Sequence, residues 1–111
     1  MKVRRGDIVF LYESKYLGQI GNYQGGVRPL LVVSNDKGNH FSNVCIVCPL
    51  TAKHKRLDLP THIKIGHHNS ITVCEQLFTI NQDDIFQIVN HISDSDMERV
   101  NEALKISLDL G

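Results

Sequence analysis

The chain has 111 residues, 41% of them apolar and 22% charged, with no net formal charge at neutral pH. A chain of this length can bury about two thirds of its unfolded surface in one core, and this composition excludes disordered and fibrous classes. No apolar run reaches the roughly 20 residues that span a bilayer, and Met1-Lys2-Val3-Arg4-Arg5-Gly6 is not followed by a signal-peptide core. One cytoplasmic domain over residues 1–111 is therefore expected.

The zero net charge conceals an asymmetry. Through Ile65 there are ten Lys or Arg against four Asp or Glu; from Gly66 onward there are two against eight. A basic first part suits an anionic partner such as nucleic acid, whereas the acidic remainder also reads as the solvated face of a helix.

In chain order, residues 7–12 form the first β-type run. The stretch up to Gln24 carries Gly18 and Gly21 without a sustained period and reads as a loop. Gln24-Gly25-Gly26-Val27-Arg28-Pro29 follows, and it runs into the second strand, residues 30–34. Two glycines free the backbone and Pro29 fixes it, so a permanently charged guanidinium is held at the root of a strand. The simplest target for Arg28 is a phosphate or a carboxylate.

Residues 35–39 read as a turn, and residues 44–50 as the third strand. Within that strand Cys45 and Cys48 make a C-x-x-C. Residues three apart on a strand point to opposite faces, so both sulfurs cannot serve one metal, and buried apolar thiols are expected. Three cysteines do not make a disulfide framework and fit a reducing compartment. Thr51 closes the strand and precedes Ala52-Lys53-His54-Lys55-Arg56. A strand-end hydroxyl beside a basic run can donate to a phosphate whose other oxygens arginine holds, although each feature alone is also an ordinary structural one.

Residues 61–65 alternate as a strand, with His62 at its start; His67-His68 falls in the next turn. Six histidines raise a two-imidazole ribonuclease scheme, but for His62 binding or structure is the preferred role. Residues 70–76 form another strand ending in Glu75-Gln76, where alternation points one side chain inward and one outward. Glu75 reads either as a groove residue or as the partner of a nearby basic group. Residues 86–90 make a further, weaker strand. Met97, Val100, Leu104 and Leu108 form one stripe of a C-terminal amphipathic helix, with Ser95 and Glu98 in capping-box spacing. Short strands without an intervening long helix predict an antiparallel barrel or sandwich carrying one helix.

Taken together, these residues resemble the MazF/PemK family of toxin endoribonucleases. The resemblance runs nearly end to end, through Arg5-Gly6-Asp7, Gln24 to Pro29, Asn35-Asp36, Gly38-Asn39 and Leu50-Thr51. It continues through Leu59-Pro60-Thr61-His62, Glu75-Gln76, Thr79-Ile80 and Val100-Asn101-Glu102-Ala103-Leu104. It implies an SH3-like β-barrel with a C-terminal helix, a homodimer, and neutralisation by a cognate antitoxin peptide. It also implies cofactor-free, metal-independent cleavage of single-stranded RNA at short sequences. The nucleophile would be the ribose 2′-hydroxyl, leaving a 2′,3′-cyclic phosphate and a 5′-hydroxyl.

By the same resemblance Arg28 and Thr51 match the catalytic pair. Tyr23, Gln24, Lys53, Thr61, His62, Glu75 and Gln76 are the expected RNA contacts. Arginine rarely releases a proton, so Arg28 reads here as an electrostatic clamp, against the family's reading as general acid. Tyr23 stands where many relatives carry an acid and Phe78 where a basic residue is common. Aromatic faces stack unpaired bases, so an altered cleavage sequence is expected, with core filling the alternative for Phe78. Two rival functions share the barrel: a non-catalytic binding module, and a gyrase-poisoning toxin like CcdB. The latter uses a C-terminal tryptophan that this chain lacks.

Overall fold

The computed structural model describes residues 2–11, 29–52 and 56–111. Among these, seven strands form one antiparallel sheet: β1 (Asp7–Leu11), β2 (Leu30–Val32), β3 (Val44–Thr51), β4 (His62–Lys64), β5 (Ile71–Val73), β6 (Phe78–Asn81) and β7 (Ile85–His91). A short helix α1 (Asp36–Phe41) lies between β2 and β3, and a 14-residue helix α2 (Asp94–Ser107) ends the chain. The strand order is β4-β5-β3-β2-β1-β7. β3 is the hinge of this arrangement, because one of its edges pairs first with β6 through residues 44–47 and then with β5 through Leu50 and Thr51. Its other edge pairs with β2.

Alternation along β3 explains why both faces of the sheet are covered. Cys48 and Leu50 point into a core that contains Ile8, Leu31, Ile65 and the α2 residues Val100, Ala103 and Leu104. Cys45 and Val47 point into a second core with Val9, Leu30, Val32, Ile80 and Ile85. The two cysteines thus lie on opposite faces, both buried, as a period of two requires. Burying Val100 and Leu104 contributes about 1.5–3 kcal/mol each, which holds α2 on the sheet.

Several local expectations are corrected. Residues 36–41 are a helix and not a turn, because the Asn35 side chain caps it by accepting from the Gly38 amide. The α2 cap is Ser93, whose hydroxyl accepts from the Asp96 amide at 3.1 Å, and not Ser95. Leu108 falls past the last helical turn and is exposed, while Ala103 takes its place in the buried stripe. Strand β6 had no expectation of its own; it pairs with β3 in register from Val44↔Asn81 to Val47↔Phe78. Phe78 is half-buried against the second core. The 67–70 turn joins β4 to β5, with His68 and Asn69 both at positive φ, as a two-residue type I′ hairpin requires. No helix among the described residues is long and apolar enough to cross a membrane.

Candidate active site

Thr51 is the last residue of β3, on the face that carries Cys45 and Val47 lower down, and is itself buried. It is paired with Ile71 of β5, and Ile71 is paired with Lys64 of β4. One row therefore crosses three strands as Thr51, Ile71, Lys64. The next row on the same face joins Val73 to His62. Directly opposed residues share a face, so Thr51, His62 and Lys64 all project on the side away from α2. β3 and β4 flank β5, which separates Thr51 from Lys64 by about 10 Å, two strand spacings.

At the far end of β5 the backbone leaves the sheet. Glu75 and Gln76 were expected on a strand, yet β5 ends at Val73 and the Gln76 amide turns back to the Val73 carbonyl at 3.2 Å. Both side chains are exposed in this turn, which frees them from the inward and outward alternation. The Cys74 amide donates to the Thr61 carbonyl at 2.9 Å, and this bond places Glu75 over the start of β4. The Glu75 Oε2 lies 2.8 Å from Nε2 of His62. Partial burial opposes ionisation of Glu75, but hydrogen bonds from His62 and Thr61 overcome it and hold the carboxyl below its ordinary pKa. Nδ1 of His62 is buried and has no partner among the described residues.

The structure thus brings together Thr61, His62, Glu75 and Gln76, and sets Thr51 on the same face one strand beyond β5. Arg28, Tyr23, Gln24 and Lys53 lie outside the described residues. The residue after Arg28 is placed: the Pro29 carbonyl accepts from the Leu50 amide at 3.0 Å, so the chain enters β2 beside the residue preceding Thr51. Arg56, at the end of the basic run, is engaged with Asp58 at 2.7 Å. Lys64 was not singled out from sequence. Alternation over residues 61–65 already put it on the face of His62, but only the β4–β5–β3 register lines it up with Thr51.

A separate groove of about 890 Å³ lies on the opposite face, between α2 and β3. Ile46, Leu104, Leu108 and Leu110 line it, with Arg5 and Lys105 at its margin. Being on the α2 side of the sheet, it is not part of the Thr51 surface.

Residues 4–108 match the family described as PemK-like, MazF-like toxin of type II toxin–antitoxin systems. The chain is 40% identical to the endoribonuclease EndoA of Bacillus subtilis, over 99% of this chain and 97% of that protein. It is 32% identical to the endoribonuclease MazF of Staphylococcus saprophyticus, over 97% and 92%. Its fold is similar to that of a mycobacterial endoribonuclease in complex with its cognate antitoxin, with a TM-score of 0.80 at 20% identity, covering 98% of this chain and 97% of that one. With the match spanning nearly every described element, from the turn before β1 to the end of α2, the chain belongs to the PemK/MazF family of type II toxin endoribonucleases.

Proposed function

We propose that this chain cuts single-stranded RNA at short sequences by attack of the ribose 2′-hydroxyl on the adjacent phosphate, leaving 2′,3′-cyclic phosphate and 5′-hydroxyl ends. Its class, a MazF/EndoA-like endoribonuclease toxin of a type II toxin–antitoxin system, follows from family membership. The cleavage chemistry and the residue roles are our reading. One observation carries it: Thr51, Lys64 and the His62–Glu75 pair project from one face of three adjacent strands.

In this reading the substrate supplies its own nucleophile, and the protein orients it in line and stabilises charge on the phosphorane. Thr51 donates to a non-bridging oxygen. Arg28 clamps the other oxygens and hydrogen-bonds to the leaving oxygen, since a guanidinium binds phosphate in a planar fork and stays charged. Lys64, about 10 Å along the row from Thr51, neutralises a flanking phosphate. Thr61, His62, Glu75 and Gln76 face the neighbouring bases, and His62 is assigned to binding because Glu75 already engages its Nε2. Gln24, by family resemblance, Tyr23, as an aromatic face for an unpaired base, and Lys53, from the basic run after Thr51, complete the proposed RNA surface.

We assign one toxin domain to residues 1–111, acting in the cytoplasm where its RNA substrate is. A cognate antitoxin peptide is proposed as its inhibitor, supported by the complex of the mycobacterial endoribonuclease with its cognate antitoxin. A second copy is proposed against the α2 groove, where the apolar side chains of Ile46, Leu108 and Leu110 are exposed. The test of function is incubation of the chain with a long defined RNA in EDTA, followed by mapping of new 5′ ends. Cleavage at one repeated short motif with 5′-hydroxyl ends is expected. Strict dependence on added metal, or 5′-phosphate ends, would sink the mechanism.

A further inference from the structure

Cys48 and Cys74 take no part in the RNA chemistry proposed above. Cys48 is on β3 and Cys74 directly follows β5, and these strands are paired through Leu50↔Thr72 and Thr51↔Ile71. Two residues further along that register Cys74 comes opposite Cys48. Both are fully buried in the core under α2. Opposed residues on antiparallel strands have Cα atoms about 4.5–5.5 Å apart, inside the range of about 4.4–6.8 Å that disulfides span. Side-chain proximity agrees with the backbone: the two thiols are close enough to shift each other's ionisation, and the Thr72 hydroxyl lies 3.0 Å from the Cys48 sulfur.

The third cysteine is set apart. Cys45 is on the other face of the sheet, in the second core, where burial pushes its thiol up to about 11. In the pair the protons are unevenly held. The hydrogen bond from Cys48 lowers Cys74 below an ordinary thiol, against the opposing effect of burial and with help from Thr72. The same bond, together with burial, raises Cys48. Cys74 is thus the nucleophile of the two.

We propose that Cys48 and Cys74 are a modification site, a dithiol that a hydroperoxide converts to a reversible intramolecular disulfide. The Cys74 thiolate attacks the peroxide, forming an S–O bond as the O–O bond breaks, and the alcohol or water leaves with the proton. The Cys48 thiol then attacks the sulfenic sulfur, an S–S bond forms, and the hydroxyl departs as water. Two thiols and one peroxide give one disulfide, one alcohol and one water. Access comes through opening of the β4–β5 hairpin, which among the described residues lies at the sheet edge and is joined to β3 at two register positions. The bridge would tie to β3 the residue that precedes Glu75, and so fix the turn that carries Glu75 over His62.

The test uses the full chain, exposed to hydrogen peroxide, quenched, denatured, alkylated and mapped by mass spectrometry. Two of the three thiols should be lost as a Cys48–Cys74 linked peptide, with Cys45 alkylated, and dithiothreitol should restore all three. A Cys45→Ala chain should form the same bridge. Three thiols that all remain alkylatable, a bridge to Cys45, or sulfinic acid at Cys74 without a bridge would overturn the proposal. Because the readout is thiol chemistry, none of these outcomes depends on whether the chain cuts RNA as proposed.

Discussion

His62 and Glu75, thirteen positions apart in the chain, meet with Nε2 and Oε2 at 2.8 Å. The imidazole is almost wholly buried, with 7% of its side chain exposed, while 41% of the Glu75 side chain is open to solvent. A buried base edge-held by a half-exposed acid is a positioning arrangement. The imidazole sets where the carboxylate stands, on the surface proposed above to meet RNA.

Glu75→Gln should therefore weaken RNA binding about five- to tenfold by removing a charge-assisted hydrogen bond. It should also change the acid stability profile. Because the folded carboxyl is held below its ordinary value, its contribution is complete above the unfolded pKa and is lost as pH falls through the depressed folded one. Melting temperatures of wild type and Glu75→Gln should differ above about pH 5 and converge in stronger acid. A constant difference down to low pH would refute the pairing as the source.

Thr51→Ala should reduce cleavage about 100-fold or more while leaving RNA affinity within a few-fold, since the role proposed for the hydroxyl is on charge that develops only in the transition state. Arg28→Lys keeps the charge but not the planar fork, so it should also lose most turnover. Near-normal single-turnover rates for Arg28→Lys would argue against the clamp.

Lys64→Gln should lower affinity for a non-cleaved RNA at low salt. The slope of log affinity against log salt should fall by about 0.7, the contribution of one phosphate contact to a single strand. An unchanged slope measured by fluorescence anisotropy would remove Lys64 from the surface.

Gln82 is buried between the chain start and the α1–β3 connection. Its amide nitrogen donates to the carbonyls of Asn39 at 2.8 Å, Ser42 at 3.1 Å and Val44 at 3.2 Å, and its oxygen accepts from the Val3 amide at 3.1 Å. Gln82→Leu removes the side-chain partner of the buried Val3 amide and Asn39 carbonyl, at an expected cost of about 2–4 kcal/mol. Urea unfolding would measure it, and a loss below 1 kcal/mol, about the level of surface substitutions, would show that the network is dispensable.

Leu108→Glu should abolish self-association if a second copy covers the α2 groove, read by sedimentation velocity. The wild-type chain should sediment as a dimer at the same concentration, and a monomeric wild type would end the dimer proposal.

Gly6 illustrates how a local requirement can be present in sequence without its reason. Its φ is +97° and a Cβ there would come within 3.1 Å of the His91 ring, so only glycine fits between β1 and β7. The Arg5-Gly6-Asp7 triplet was legible as the opening of a strand; the histidine that demands the glycine, 85 residues away in sequence from Gly6 and bonded to Asp7 at 2.8 Å, was not. The helix cap shows the reverse limit. Ser93 and Ser95 have equal chemistry, and the choice between them was made by where β7 releases the chain, with the Ile92 amide still bonded to the Gly6 carbonyl at 3.0 Å.

Period and residue type by themselves determined most strands, the opposite faces of Cys45 and Cys48, the C-terminal helix and the family. These depend on local backbone geometry and on the order of motifs, which a sequence carries directly. Only the tertiary structure decided that Glu75 leaves the strand to meet His62, that Lys64 stands in the row of Thr51, and that Cys48 comes opposite Cys74. Each of those is a matter of register between strands distant in sequence. Register is set by which side chains fill the two cores together, a condition no single segment contains.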